Sequence, residues 1–331
     1  MKVAVFNSKR YERLSLEKAA EGFPIEYTFL EPRLDVHTAV LATGHEAVLI
    51  FVNDVASRSV LEKLKAGGTR FLCTRSAGFN HIDREAASDL GIQLAYVPAY
   101  SPNAVAEFTI GLILTLGRHI HQGHNRVRLA DFNLEGLCGF EIRDMTVGVY
   151  GTGRIGTAVV RLLSGFGCKI LAYDEEPNEE VMLLASYVDT REELFRFSDI
   201  LTLHVPLMPS TYHLVDEAAL KLMRNGVFLI NTSRGALLDT PAVVEGVKNR
   251  KVGFLAIDVY EEEASLFFED HSSDIISDDT FARLLTFPNV IVTGHQAFLT
   301  QHALRNIAET TIQSLTEFSE GKPCAHAVPV P

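Results

Sequence analysis

An α/β protein built on two parallel sheets is the fold that three observations in this sequence predict. Short β-rich runs alternate with helix-like segments along nearly the whole chain, which is the pattern of βαβ units. At 331 residues the chain is long for a single core and fits two domains. One of the strands runs into a glycine-spaced turn that opens an amphipathic helix, the join found in nucleotide-binding α/β units.

The elements follow in order. "KVAVF" (2–6), "AVLIFV" (47–52) and "RFLCT" (70–74) are continuous apolar runs of strand length, with "SVLEKLKAGG" between the last two reading as a helix. At "YSPNAVAEF" an extended proline-containing segment gives way to a long helix, with Ser101 as N-cap and Pro102 at the first helical position. We place the boundary between the two α/β units there. The strand pattern resumes with "TVGVY" (146–150), "KILAYD" (169–174), "DILTLHV" (199–205), "GVFLIN" (226–231) and "GFLAIDV" (253–259). Thr190 with Glu193 fits a capping box, and Thr240-Pro241 repeats the cap-then-proline signal. Val290 to Val292 read as a short buried strand that Gly294 breaks. A last amphipathic helix, about 302–318, can belong to either unit by its pattern.

Composition narrows the partners. Hydrophobic residues make up 47% and charged residues 22%, the balance of an ordinary globular protein. A net charge of −12 argues against nucleic acid or an anionic membrane as the main partner. The cysteines at 73, 138, 168 and 324 are scattered, without metal-ligand or disulfide spacing, and read as apolar or surface residues of a reducing compartment. The N-terminal apolar run is too short for a signal peptide, and no stretch approaches a membrane span. A cytoplasmic protein is expected.

The glycine turn is the most informative stretch. Gly151, Gly153 and Gly156 form GxGxxG directly between a strand and a helix, the context that turns a weak motif into a strong one. The first glycine permits the tight turn, the second lets the backbone approach a pyrophosphate, and the third lets helix and strand pack closely. The amides of Thr152 to Ile155 then face the phosphates, helped by the helix N-terminus. Asp174 ends the next strand, 18 residues after Gly156, where a carboxylate hydrogen-bonds the adenosine ribose. With Glu175 and Glu176 behind it, a 2′-phosphate is repelled, so the expected cofactor is NAD and not NADP.

Three later strand ends carry chemistry. Arg234 follows the strand in "LINTSRGALLDT" and offers a planar fork suited to a carboxylate. Asp258, Glu261, Glu262 and Glu263 follow the strand in "FLAIDVYEEE", and composition leaves them equivalent. His295 follows "VIV". In a parallel sheet these ends share the edge that holds the pyrophosphate. A guanidinium, a carboxylate and an imidazole beside a nicotinamide site point to proton transfer, with the carboxylate favouring the imidazolium. His119, His121 and His124 do not share one helical face with an acid, and the acidic stretch from Glu261 to Asp279 lacks an alternating ligand pattern. No metal is expected.

The segments "GTGRIG", "NTSRGALLDT", "DVYEEE" and "VTGHQAF" occur in the order and spacing of the D-isomer-specific 2-hydroxyacid dehydrogenase family, which this chain resembles. "FVND", "RSAGFNHID", "PAYSPNAVAE", "LEGLCGFEI" and "LFFED" extend the likeness over almost the whole chain, most strongly to the fermentative D-lactate dehydrogenases. The resemblance implies two Rossmann-like or flavodoxin-like domains with a cleft between them. Residues 1–100 with 299–331 would form a discontinuous substrate domain, and residues 101–298 the NAD-binding domain. It assigns Arg234, Glu263 and His295 as the catalytic set, selecting Glu263 among the acids. It makes the Ala77 and Gly78 amides a carboxylate cradle and Phe51, Tyr100 and Phe298 the side-chain pocket, where bulky rings suit a methyl group. It adds Arg154, Ile155, Val205, Pro206, Thr232 and Asp258 to the cofactor contacts, Asp258 near the nicotinamide amide.

The implied reaction is reversible reduction of a small 2-oxo acid by NADH, most specifically pyruvate to D-lactate. A sibling activity on hydroxypyruvate, glyoxylate or a bulkier 2-oxo acid is the alternative, and an NADH-responsive binding module a remote one. A homodimer or homotetramer is implied. One departure from many relatives is Phe108, which stands where they carry a histidine after the glutamate of "AVAE".

Overall fold

The structure, a computed structural model, describes residues 1–329, without the side chain of Ser265. The chain forms two compact units, Met1–Ser101 with Leu299–Pro331, and Pro102–Phe298. Twelve strands lie among the described residues: β1 Lys2–Val5, β2 Glu26–Phe29, β3 Ala47–Ile50, β4 Phe71–Thr74, β5 Gln93–Ala95, β6 Thr146–Tyr150, β7 Lys169–Tyr173, β8 Ser186–Tyr187, β9 Ile200–Leu203, β10 Val227–Asn231, β11 Val252–Ile257 and β12 Val290–Val292.

In the first unit five parallel strands take the order β2-β1-β3-β4-β5, the flavodoxin-like order. β3 and β4 are buried throughout, because both faces of a parallel sheet are covered. Val3, Val5, Leu49, Phe71 and Cys73 pack with Leu16 of the helix Arg10–Ala19 and with Ile312, Leu315 and Phe318 of the helix Gln301–Ser319. Ala4, Val48, Ile50 and Leu72 pack on the other face with Leu61 and Leu64. At about 1.5–3 kcal/mol for each large apolar side chain removed from water, these two layers hold the sheet. The C-terminal helix therefore belongs to the first unit, started by Thr300, whose hydroxyl accepts from the Ala303 amide at 3.1 Å. β2 and β5 escape a reading based on apolar runs, since they are short edge strands with exposed positions.

The second unit has seven parallel strands in the order β12-β11-β10-β9-β6-β7-β8. Successive residues of β10 serve opposite faces: Val227 and Leu229 join one cluster, Phe228 and Ile230 the other. The chain reverses direction across the sheet between β6 and β9, a switch point of the kind that receives dinucleotides. Phe108, on the helix Pro102–Gly117, packs against the second of these clusters.

Three local expectations need correction or refinement. The N-cap of the helix Thr240–Lys248 is Asp239, which accepts from the Ala242 amide, because the Thr240 hydroxyl is used by Glu261 instead. Thr190 caps its helix as expected, but Glu193 reaches back to the Asp189 amide, one residue before the cap. β12 is half-buried where a buried strand was expected, since it forms the sheet edge.

Candidate active site

The three glycines of the β6 turn do different work. Gly151 has φ +93°, and a Cβ there would lie 2.5 Å from the His204 carbonyl oxygen at the end of β9. A Cβ on Gly156 would lie 1.9 Å from the Gly151 carbonyl oxygen. Both positions are therefore closed by the protein itself. A Cβ on Gly153, by contrast, would meet nothing within 4 Å. Gly153 is the N-cap of the helix Arg154–Ser164 and supplies no side-chain cap, so the first-turn amides and the exposed Arg154 face outward. A cavity of about 590 Å³ opens there, lined by Asn103, Gly153, Arg154, Thr157 and Asn178. Open backbone, a cation, and the Gly153, Arg154 and Ile155 amides, which meet no acceptor among the described residues, fit a pyrophosphate. The Thr152 amide, expected with them, is spent on Asp174.

Asp174, at the end of β7, places Oδ2 on the Thr152 amide (2.5 Å) and the Thr152 hydroxyl (3.0 Å). Among the described residues Oδ1 accepts only from the Glu176 amide, at 3.2 Å, and so keeps acceptor capacity for a ribose hydroxyl. Ile155 is half-buried against the core, Val205 and the exposed Pro206 follow β9, and the buried Thr232 shares a hydrogen bond with Thr109 (2.9 Å).

The register of the sheet aligns Asn231, Ile257 and Val292 across β10, β11 and β12. Arg234, Glu263 and His295 each follow one of these three strand ends. Asn231 is fully buried and shapes the first turn: its Oδ1 accepts from the Ser233 amide and its Nδ2 donates to the Arg234 carbonyl at 2.8 Å. The Ser233 hydroxyl ties this turn to the Val205 carbonyl at 2.6 Å. Gly235 lets the turn press onto the next one, since a Cβ there would lie 2.1–2.3 Å from the Tyr260 carbonyl group and the Glu261 nitrogen. The Arg234 guanidinium donates to the Ser233 carbonyl at 2.7 Å and is half-buried.

His295 is held in the left-handed region, φ +52°, where a non-glycine residue stores about 1–3 kcal/mol of strain. The sequence marks Gly294 as the break that ends the strand; the positive φ falls one residue later, on His295 itself. Asp258 accounts for it. Its carbonyl accepts from the His295 amide at 2.7 Å, and its carboxylate accepts from the Thr293 hydroxyl (2.5 Å) and from the Gln296 and Ala297 amides (2.9 and 2.8 Å). Burial pushes the Asp258 carboxyl above the usual range, opposed by those three hydrogen bonds. Its side chain is fully buried and bonded to the 293–297 turn.

The imidazole Nδ1 lies 2.8 Å from Glu263 Oε1, and Glu263 Oε2 accepts from the Tyr260 amide at 2.9 Å. The neighbouring acids are placed differently. Glu261 pairs with His213 at 2.6 Å and with the Thr240 hydroxyl at 3.1 Å, and Glu262 is exposed. The ring of Phe268, another residue with positive φ, lies 5.7 Å from the imidazole. With Nδ1 taken by a carboxylate, Nε2 is the nitrogen available to a reacting group.

In the first unit Ala77 and Gly78 follow β4 in a half-buried turn, and their amides meet no acceptor among the described residues. The Ser76 hydroxyl fixes that turn on the Gly78 carbonyl (2.7 Å) and is itself bonded to the Thr74 hydroxyl. Phe51 follows β3, with its amide on Asp54 and its ring beneath the buried Arg75. The Tyr100 carbonyl accepts from Asn306. Phe298, in the second unit, is buried. Asn231, Ser233, Thr293 and Ser76 were not singled out from the sequence, although "NTS" after a strand carries the Asn-turn signal that could have found two of them.

Comparison with known proteins adds the following. Residues 110–297 match the family described as D-isomer specific 2-hydroxyacid dehydrogenase, NAD binding domain. The chain is 50% identical over 325 residues to a D-lactate dehydrogenase of Escherichia coli, covering 98% of each chain. Among solved structures it is similar to apo D-lactate dehydrogenase from Escherichia coli (TM-score 0.91, 46% identity, 99% of this chain and 100% of that one). It is similar also to a pyruvate reductase of Chlamydomonas reinhardtii (TM-score 0.93, 40% identity, 98% of each chain).

Proposed function

We propose that this chain, which belongs to the D-isomer specific 2-hydroxyacid dehydrogenase family, uses NADH to reduce pyruvate reversibly to D-lactate. The observation that carries the reading is the 2.8 Å contact between Glu263 and His295 Nδ1, at the sheet edge where Arg234 also stands.

Each residue has a task that follows from its chemistry. In the second unit Arg234 pairs its fork with the substrate carboxylate and polarises the ketone oxygen. In the first unit the Ala77 and Gly78 amides are further donors to the carboxylate. Bound NADH supplies the hydride for C2 of the substrate. His295, protonated, gives the proton on Nε2 to the oxygen that becomes the hydroxyl, and takes it back in lactate oxidation. Glu263 fixes the ring orientation and balances its charge, while Asp258 holds the backbone that presents it. Phe51, Tyr100 and Phe298 are the proposed lining around the substrate methyl, and Arg154, Ile155, Val205, Pro206, Thr232 and, near the nicotinamide amide, Asp258 the remaining cofactor contacts. Because an apolar pocket separates substrates by only about 1–3 kcal/mol per methylene, slower turnover of slightly larger 2-oxo acids is expected. A panel of 2-oxo acids with NADH tests the substrate assignment. Pyruvate should have the highest kcat/KM, and a strong preference for hydroxypyruvate, glyoxylate or a bulkier acid would move the assignment to that sibling activity.

The Asp174→Ala variant tests the cofactor assignment. Its preference for NAD over NADP should fall about tenfold or more, because the repulsion of a 2′-phosphate and a hydrogen bond to the ribose are both lost. A ratio equal to that of the parent would remove Asp174 from ribose recognition.

We place the protein in the cytoplasm as a homodimer or homotetramer. No helix among the described residues is long and apolar enough to cross a membrane. The helix Ile120–Arg128 buries none of its residues, and Leu129, Phe132 and Leu134 after it are 83%, 73% and 78% exposed. An apolar arm of that kind fits a second copy of the chain. Light scattering at micromolar concentration should give at least twice the 36.6 kDa of one chain, and a monomer would overturn this assignment.

A further inference from the structure

We propose that Tyr187 and Thr152 are positioning residues for cofactor selection, acting through a one-way relay of hydrogen bonds that aims Asp174. The proposal rests on the reading of Asp174 as the ribose-binding carboxylate and goes beyond it by saying what holds that carboxylate in place.

The relay starts at a backbone amide and ends on a charge. The Asn178 amide donates to the Tyr187 hydroxyl at 2.9 Å, the Tyr187 hydroxyl donates to the Thr152 hydroxyl at 2.7 Å, and the Thr152 hydroxyl donates to Asp174 Oδ2 at 3.0 Å. The direction is forced at both ends. An amide N–H can only donate, and an ionised carboxylate can only accept. The Thr152 amide adds a second donor to the same oxygen at 2.5 Å. Oδ2 is thereby satisfied, and Oδ1, with one bond of 3.2 Å, is the oxygen left to face a ribose hydroxyl.

Each donor is anchored in turn, Thr152 and Asn178 through the same Thr157 hydroxyl. Thr152 is buried in the glycine turn, with its carbonyl accepting from the Thr157 hydroxyl at 2.8 Å. Asn178 caps the short helix Glu179–Met182 through the Glu180 amide and sends its Nδ2 to the Thr157 hydroxyl at 3.1 Å. Tyr187 stands on the edge strand β8, in register with Ala172 of β7. Asp174 lies just beyond the last residue of β7, so side-chain bonds and not sheet pairing set its direction. Without the Tyr187 hydroxyl, Thr152 loses the donor that orders its own hydroxyl, and the carboxylate keeps only the Thr152 amide as a fixed donor and turns more freely. Ribose then loses an acceptor, and a 2′-phosphate meets less repulsion.

The test is calorimetric binding of NAD⁺ and NADP⁺ to the parent, Tyr187→Phe, Thr152→Val, Asp174→Ala and the Tyr187→Phe/Asp174→Ala pair, with the unfolding midpoint of each. Tyr187→Phe should weaken NAD⁺ about three- to tenfold, the worth of one hydrogen bond, and lower the NAD⁺/NADP⁺ preference. Thr152→Val should do the same, which keeps the test alive if one variant folds poorly. In the Asp174→Ala background the Tyr187 change should alter the preference no further, because its effect passes through the carboxylate. A role confined to packing would lower the midpoint and leave the preference alone. Parental preference in both single variants, or an undiminished Tyr187 effect without Asp174, overturns the relay. Parental preference in Asp174→Ala overturns the ribose reading on which it rests.

Discussion

His295→Ala lowers kcat for pyruvate reduction by about 100-fold or more, the usual worth of a positioned general acid, while NADH still binds. The expectation follows from placement. The turn 293–297 is held on the Asp258 carboxylate by groups other than the imidazole, through the Thr293 hydroxyl and the Gln296 and Ala297 amides. Removing the ring therefore leaves the turn bonded and withdraws the proton donor. The substitution also leaves residue 295 at φ +52°, which alanine tolerates no better than histidine, so the fold is not relieved of strain. Single-turnover reduction with NADH already bound separates the chemical step from binding. A kcat within about threefold of the parent would remove His295 from the mechanism.

Arg234→Gln lowers kcat/KM for pyruvate by about 100- to 1000-fold, the cost of deleting a donor aimed at a developing oxyanion. Both parameters should move, KM because the carboxylate loses its cation and kcat because the ketone is no longer polarised. The turn around residue 234 is held by Asn231, Ser233 and the close approach of Gly235 to Tyr260, none of which needs the guanidinium. The NADH dissociation constant is the control for that turn. A rise in KM alone, with kcat unchanged, would confine Arg234 to carboxylate binding.

The sheets were legible in the sequence wherever strands are buried on both faces. "AVLI" is apolar at every position and "VFLIN" at every position but the last because each strand lies between two cores, and no alternative pattern competes. β2, β5 and β8 were not legible, being edge strands of two to four residues with polar positions facing outward. Turn chemistry was read less well. Thr240 before a proline looks like a cap, yet the Asp before it takes the cap once Glu261 claims the Thr240 hydroxyl.

At the site, strand ends could be located from the residue pattern, but side-chain partners could not, and it was the family resemblance that selected Glu263 for His295. Glu261, Glu262 and Glu263 are equivalent in composition, and only the path of the 260–263 turn brings Glu263 to His295 and Glu261 to His213. The left-handed backbone at His295 was not read from the sequence, where Gly294 marks only the end of the strand. Thr152, Asp174, Asn178 and Tyr187 lie up to 35 residues apart, and nothing in their spacing announces a relay.

The most direct measurement is chiral analysis of the product formed from pyruvate and NADH by the purified protein, with NADPH as control. The expected result is rapid NADH oxidation, slow or absent NADPH oxidation, and D-lactate as the product. L-lactate, or no turnover of any 2-oxo acid by protein that binds NADH, would contradict the catalytic assignment of Arg234, Glu263 and His295.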